Sequence, residues 1–171
     1  MTTTAATDAE DSGAHPLFAQ ALRERGLDEV VPLVRRFPEA TRTAAEAAAA
    51  LGCDLSQICK SLIFAADGAP VLVLMDGASR VDLDLVREEL GAEKVTRAKV
   101  DVVRETTGYA IGGVPPFGHR TTTRVLADRS LFDHETVWAA AGTPYTMFPM
   151  APGDLVAHSG AIVADVRESS S

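Results

Sequence analysis

The sequence predicts an α+β fold built on one mixed central β-sheet. Two observations carry that expectation. Stretches with strand and helix periodicity alternate along most of the chain, the pattern of sheet and helices sharing one layered core. Between the apolar runs 58–64 and 70–75 stands Asp67-Gly68, a hairpin signal that opposes a purely parallel sheet. At 171 residues and 46% hydrophobic, the chain has enough apolar surface for one proper core. No repeat or linker divides it. The expected organisation is an acidic, disordered tail over 1–14 and a single domain over 15–168.

The elements follow in order. Pro16 opens a first helix that runs to Arg25 and stops at Gly26. Residues 27–37, apolar and partly β-branched, read as extended. Thr43-Ala44-Ala45-Glu46 is a capping box, and the alanine-rich helix behind it ends at Gly52. The strands 58–64 and 70–75 form the hairpin, with a loop slightly longer than the minimum. Asp82 caps a helix running to Leu90 and closed by Gly91, and 99–106 reads as a short helix before Gly108. Residues 109–111 and 124–127 read as strands entering and leaving a Gly/Pro-rich loop. A helix over 133–141, an extended stretch 145–148, a helical turn 154–158 and a strand 162–166 complete the chain.

Two features carry chemistry. Lys60 lies inside the alternating apolar run Gln57-Ile58-Cys59-Lys60-Ser61-Leu62-Ile63-Phe64, which places an ammonium on a half-buried strand. Such burial costs several kcal/mol unless an anion or acceptor meets it. A lysine at a strand end also snorkels to solvent in many proteins. The second feature is Gly112-Gly113-Val114-Pro115-Pro116-Phe117-Gly118-His119. Its glycines permit close backbone approach, and its prolines stiffen the loop and withdraw their own donors. The amides of Gly112, Gly113 and Val114 are therefore free to face a ligand, although a plain turn has the same composition. A fixed cation beside a rim of amides suits a substrate that is anionic or carries a carbonyl.

Several classes are excluded. G-x-S-x-G, H-E-x-x-H, Walker A and a helix-opening G-x-G-x-x-G are all missing, and His15, His119, His134 and His158 are scattered. No metal site and no cofactor are expected. Cys53 and Cys59 form no C-x-x-C pair and no disulfide framework, which points to the cytoplasm. No run of eighteen apolar residues exists, so no membrane partner is expected. The net charge of −8 argues against DNA and against any wide nucleic-acid interface. Asp8, Glu10 and Asp11 belong to the tail, and the remaining body is still acidic. A protein gripping only the end of a nucleic acid needs few cations.

Taken together, these residues resemble the YbaK/ProX family, the free-standing relatives of the editing domain of bacterial prolyl-tRNA synthetases. The resemblance covers 16–166. It rests on Thr43-Ala44-Ala45-Glu46-Ala47-Ala48, on the segment around Lys60, and on the G-x-x-x-P pattern from Gly112 to Pro116 with His119 behind it. Trp138-Ala139-Ala140-Ala141-Gly142-Thr143-Pro144, Asp154-Leu155 and Ser159-Gly160-Ala161 extend it. It implies a curved, partly barrel-like sheet flanked by helices, and an enzyme that hydrolyses a mischarged aminoacyl-tRNA, commonly one for proline. The partners implied are the acceptor end of that tRNA and, in some settings, a synthetase.

An aminoacyl ester is already activated, so aligning a water and stabilising the oxyanion suffice. Removing one such amide donor costs roughly 3–4 kcal/mol in well-studied hydrolases. The expected catalytic groups are Lys60, Gly112, Gly113 and Val114, with Lys60 holding a phosphate or ribose or polarising the carbonyl. Expected around the substrate are Pro115, Pro116, Tyr109, Phe117, His119, Asp128, Ser159 and Gly160. For Asp128 a helix cap, for Ser159-Gly160 a turn, and for Tyr109 and Phe117 core packing are the competing assignments. Members acting on cysteinyl-tRNA carry a small polar residue where Pro115 stands and a lysine pair where His119-Arg120-Thr121 stand. Two other classes fit the same residues: a non-catalytic module that binds a synthetase or a tRNA end, and a hydrolase of small esters or nucleotides.

Overall fold

The computed structural model describes residues 13–41 and 43–169. Most of the expected tail, 1–12, lies outside the described residues. At its boundary Ala14 is buried, and the His15 amide donates to the Ala141 carbonyl at 3.0 Å.

Eight strands form one mixed sheet flanked by helices, as the sequence predicts. Helix α1 (Pro16–Glu24) buries Phe18 and Leu22, each contributing roughly 1.5–3 kcal/mol. A two-residue strand β1 (Arg35–Arg36) precedes α2 (Ala44–Leu51), whose Thr43 hydroxyl accepts from the Glu46 amide at 3.1 Å. The long hairpin β2 (Ile58–Ala66) and β3 (Ala69–Asp76) forms the centre. Then come α3 (Leu83–Leu90), β4 (Val95–Arg97), α4 (Val100–Thr107) and β5 (Arg124–Asp128). The chain ends with β6 (Val137–Ala140), β7 (Thr146–Met150), α5 (Pro152–Ser159) and β8 (Ile162–Ala164). The sheet runs β1-β7-β6-β2-β3-β5-β8, with β4 paired to β2 off that path.

Four local expectations are corrected. Residues 28–33 coil into a 3₁₀ helix around Pro32, and only Arg35–Arg36 are extended. The hairpin turn has the minimal two residues, since Ala66 pairs with Ala69. Residues 109–111 form no strand, because the Tyr109 amide is taken by the Thr107 hydroxyl at 3.0 Å. The segment 133–141, alanine-rich and helix-favouring, instead supplies β6, parallel to β2 and antiparallel to β7. Its alanines serve as small residues on a covered strand, where neighbours override propensity. Strand β4 has no counterpart in the sequence reading.

The register of β2 places the site. Cys59 and Ile63 face the main core with Phe18, Tyr109, Val114 and Phe148. On the opposite face Ile58 joins a cluster with Ala47 and Met147, while Phe64 joins one with Val86 and Met75. Lys60 falls between these two clusters, at the seam where one apolar group ends and the next begins.

Candidate active site

Beside β2 lies a cavity of about 320 Å³, lined by Thr43, Ala44 and Ala47 of the α2 segment, by residues 58–64, and by Arg97, Ile111, Gly112, Val114, Thr143 and Met147. The sheet itself makes the opening. On the edge of β2 away from β3, β6 pairs only with Ile58 and Cys59, and β4 only with Phe64, Ala65 and Ala66. Residues 60–63 have no strand neighbour there, and the 112–114 loop approaches the gap.

That loop is held firmly. The Gly113 amide donates to the Ala110 carbonyl at 3.0 Å, closing a turn with Gly112 at its third position and φ +91°. A type II turn requires this geometry, which only glycine adopts without strain. Gly113 itself sits against another backbone: a Cβ there would come 2.8 Å from Thr143 Cα and 3.0 Å from the Gly142 carbonyl oxygen. Further along, the His119 ring donates from Nε2 to the Pro115 carbonyl at 2.6 Å, and the Tyr109 hydroxyl donates to the Gly118 carbonyl at 2.8 Å. Because Gly113 spends its amide inside the turn, Gly112 and Val114 are left. Neither of their amides donates to a protein group among the described residues.

Lys60 lines the cavity half-buried, and its Nζ donates to the Ser79 carbonyl at 2.5 Å. Burial holds its pKa below the ordinary lysine value, Asp76 pulls it back up, and Arg80 adds to the lowering. A partly dehydrated ammonium held by one neutral acceptor keeps donors for an incoming group.

The remaining expected residues sit elsewhere. Tyr109 is 1% exposed, with its ring edge-on to His15 and His119. Phe117 packs on Phe18, Phe148 and His158, with the Arg25 guanidinium over its face. His119, Pro116 and Ser159 line a separate small hollow of about 70 Å³. Burial holds the His119 pKa below its ordinary value, against the upward pull of the Pro115 hydrogen bond. Pro115 is buried and does not line the cavity. Ser159 and Gly160 terminate α5, Gly160 in the left-handed conformation. Asp128 is 2% exposed and accepts from the Val166 and Ser130 amides at 2.8 and 3.0 Å, which makes it a cap tying β5 to the C-terminal segment. The acid that acts electrostatically on Lys60 is Asp76, which accepts from Ser130 Oγ and the Ala78 amide.

Sequence reading missed Asp76, Arg97 and Ser61. Asp76 ends an apolar strand, as an ordinary strand terminus does, and Arg97 belongs to the three-residue strand that no pattern announced. For Ser61 there was a signal, a hydroxyl next to Lys60 in an apolar run. Cys59 faces the main core, away from Lys60, and burial followed by the Asp76 charge pushes its thiol up to about 12. A thiol of that kind is no nucleophile at neutral pH. The Cys53→Ser, Cys59→Ala double variant is expected to lose some stability and keep its specific deacylation activity. A large fall in single-turnover rate by well-folded protein would overturn this.

Comparison with known proteins places the chain in a class. The family model of the aminoacyl-tRNA editing domain matches residues 38–157, a span that contains Lys60, the 112–116 loop and the whole cavity lining. The chain belongs to that family, and so is an enzyme of the aminoacyl-tRNA deacylase class. The uncharacterized protein YwhH of Bacillus subtilis is 34% identical over 123 residues, covering 71% of this chain and 78% of YwhH. A proline–tRNA ligase of Streptococcus sanguinis is 30% identical over 128 residues, which are 74% of this chain and only 21% of that ligase. Among solved structures, a protein provisionally assigned as a trans-editing enzyme for prolyl-tRNA synthetase superposes with a TM-score of 0.84 at 40% identity, over 91% of this chain and 99% of that one. No helix among the described residues is long and apolar enough to cross a membrane.

Proposed function

We propose that this protein removes a small non-cognate amino acid from a mischarged tRNA, with a proline tRNA as the nucleic acid. One observation carries the reading: a single cavity of about 320 Å³ is bounded both by Lys60 and by the loop that presents the Gly112 and Val114 amides. The aminoacyl group occupies the apolar part between Ala44, Ala47 and Met147. Water adds to the ester carbonyl carbon, the developing oxyanion is met by the two amides, and the C–O bond breaks as the ribose oxygen leaves with the proton given up by the attacking water. Lys60 meets the terminal ribose or phosphate, and exposed Arg97 at the cavity lining offers a second cation there. Two cations suit a grip on the acceptor end alone, which reconciles a net charge of −8 with a tRNA substrate. The proline tRNA is supported by the relatives, which include a proline–tRNA ligase and a protein assigned to its trans-editing.

The test is a deacylation panel with proline tRNA carrying alanine, serine, threonine, cysteine or proline. The expected result is fast release of at least one small non-cognate residue, with prolyl-tRNA spared. Inertness toward every member would remove the proposed function in favour of a non-catalytic module. Release of free aminoacyl esters as fast as tRNA-linked ones would assign a small-ester hydrolase instead.

A further inference from the structure

Ser61 is anomalous in two independent ways. Its Oγ is the one buried side-chain polar atom among the described residues that has no hydrogen-bond partner. Leaving a hydroxyl so buried is costly, and such orphans call for a ligand or a function. Its main chain is anomalous too. The Ala98 amide donates to the Ile63 carbonyl at 3.3 Å, so Ile63 presents its polar groups to the edge of β2 away from β3. Strand alternation turns Ser61 the same way. The two-residue hairpin gives the same phase, since Ala66 and Ala69 flank the turn as a hydrogen-bonded pair. Ser61 thus aims its carbonyl and amide at the gap that neither β6 nor β4 fills, and the cavity occupies that gap.

We propose that Ser61 binds the α-amino group of the esterified amino acid, an inference that rests on the function proposed above. The carbonyl at the open edge only accepts, and the orphaned hydroxyl needs a partner. An aminoacyl ester has no donor in its ester group. Its amino group carries the N–H bonds, two when neutral and three as ammonium. The amino group donates to the Ser61 carbonyl as a neighbouring strand's N–H would, and a step of χ1 between staggered positions brings Oγ to it as second acceptor. This leaves the scissile carbonyl to the Gly112 and Val114 amides across the cavity. Recognition would then be of α-aminoacyl esters as a class, with the side chain sorted separately by the apolar wall.

The experiment compares wild type and Ser61→Ala on alanyl-tRNA and on propionyl-tRNA, which differ only in the amino group. Each single-turnover rate is divided by the uncatalysed rate of the same ester. If the panel selects another amino acid, the corresponding des-amino pair is used. Loss of one hydrogen bond to a charged donor predicts about a tenfold or larger fall for the aminoacyl ester in Ser61→Ala. The propionyl ester should change less than about twofold, because the contact no longer exists in either protein. Melting temperature should hold or rise, since the variant removes an unsatisfied buried hydroxyl. Equal slowing of both esters would assign the hydroxyl to the ribose or the fold, and equal rates in both proteins would show no contact at all. Either outcome overturns the proposal while leaving deacylation intact. A wild type inert toward every aminoacyl ester would instead bring down the function on which it rests.

Discussion

Gly113→Val is expected to lower the single-turnover deacylation rate by about a hundredfold or more, the loss seen when an oxyanion donor is withdrawn. The cause is steric and indirect. Gly113 offers no free amide, since that group closes the turn on Ala110. A side chain at 113 would begin 2.8 Å from Thr143 Cα, a backbone atom that cannot swing aside. The loop must therefore lift from the 142–143 segment, and the Gly112 and Val114 amides on either side lift with it. A moderate loss of stability, about 1–3 kcal/mol, should accompany the change. Gly112→Ala separates conformation from crowding. Its Cβ would meet nothing nearer than Pro144 Cβ at 3.9 Å, but its φ of +91° is strained for any side chain. It should fall between wild type and Gly113→Val in both rate and melting temperature. Normal turnover by folded Gly113→Val would show that the loop is a turn and nothing more.

What the sequence made legible was local. The Thr43 cap, the Asp82 cap, the Asp67-Gly68 hairpin and the Lys60 anomaly all depend on residues within a few positions of one another, and all appear in the fold, although the Glu46 carboxylate accepts from the Thr43 hydroxyl rather than closing a capping box on its amide. What it concealed depends on neighbours distant in sequence. Val137-Trp138-Ala139-Ala140 looks helical until β2 and β7 stand on either side of it. Asp128 has the position of a site acid, yet its two oxygens are committed to Val166 and Ser130. Tyr109 and Phe117 flank the loop in sequence and support it from the core side. The gap in the edge of β2 is the plainest case. It exists because two short strands stop at residues 59 and 64, and no property of residues 60–63 announces where other segments stop.

Lys60→Ala is expected to slow deacylation by one to two decades, the equivalent of roughly 1.5–3 kcal/mol for a lost charge-assisted contact. Lys60→Arg should restore only part of this, because a planar fork does not replace a compact ammonium in a cavity of about 320 Å³. Stability should move little. Truncation loses the hydrogen bond to the Ser79 carbonyl, but it also releases a partly buried charge, and these oppose one another. The pH dependence separates the two. Burial lowers the folded-state pKa of Lys60 below its ordinary 10.5, so over the interval beneath 10.5 the unfolded chain holds the proton that the folded protein has released. Through that interval wild-type stability gains from Lys60 as pH rises, and below it the folded protein bears the full cost of the charge. Lys60→Ala lacks this contribution, so its stability relative to wild type should decline as pH climbs toward 10.5. Melting curves across that range, beside single-turnover rates at neutral pH, give both readings from the same preparations. An unchanged rate in Lys60→Ala would mean that the ammonium serves Ser79 alone, and the catalytic assignment would fail with it.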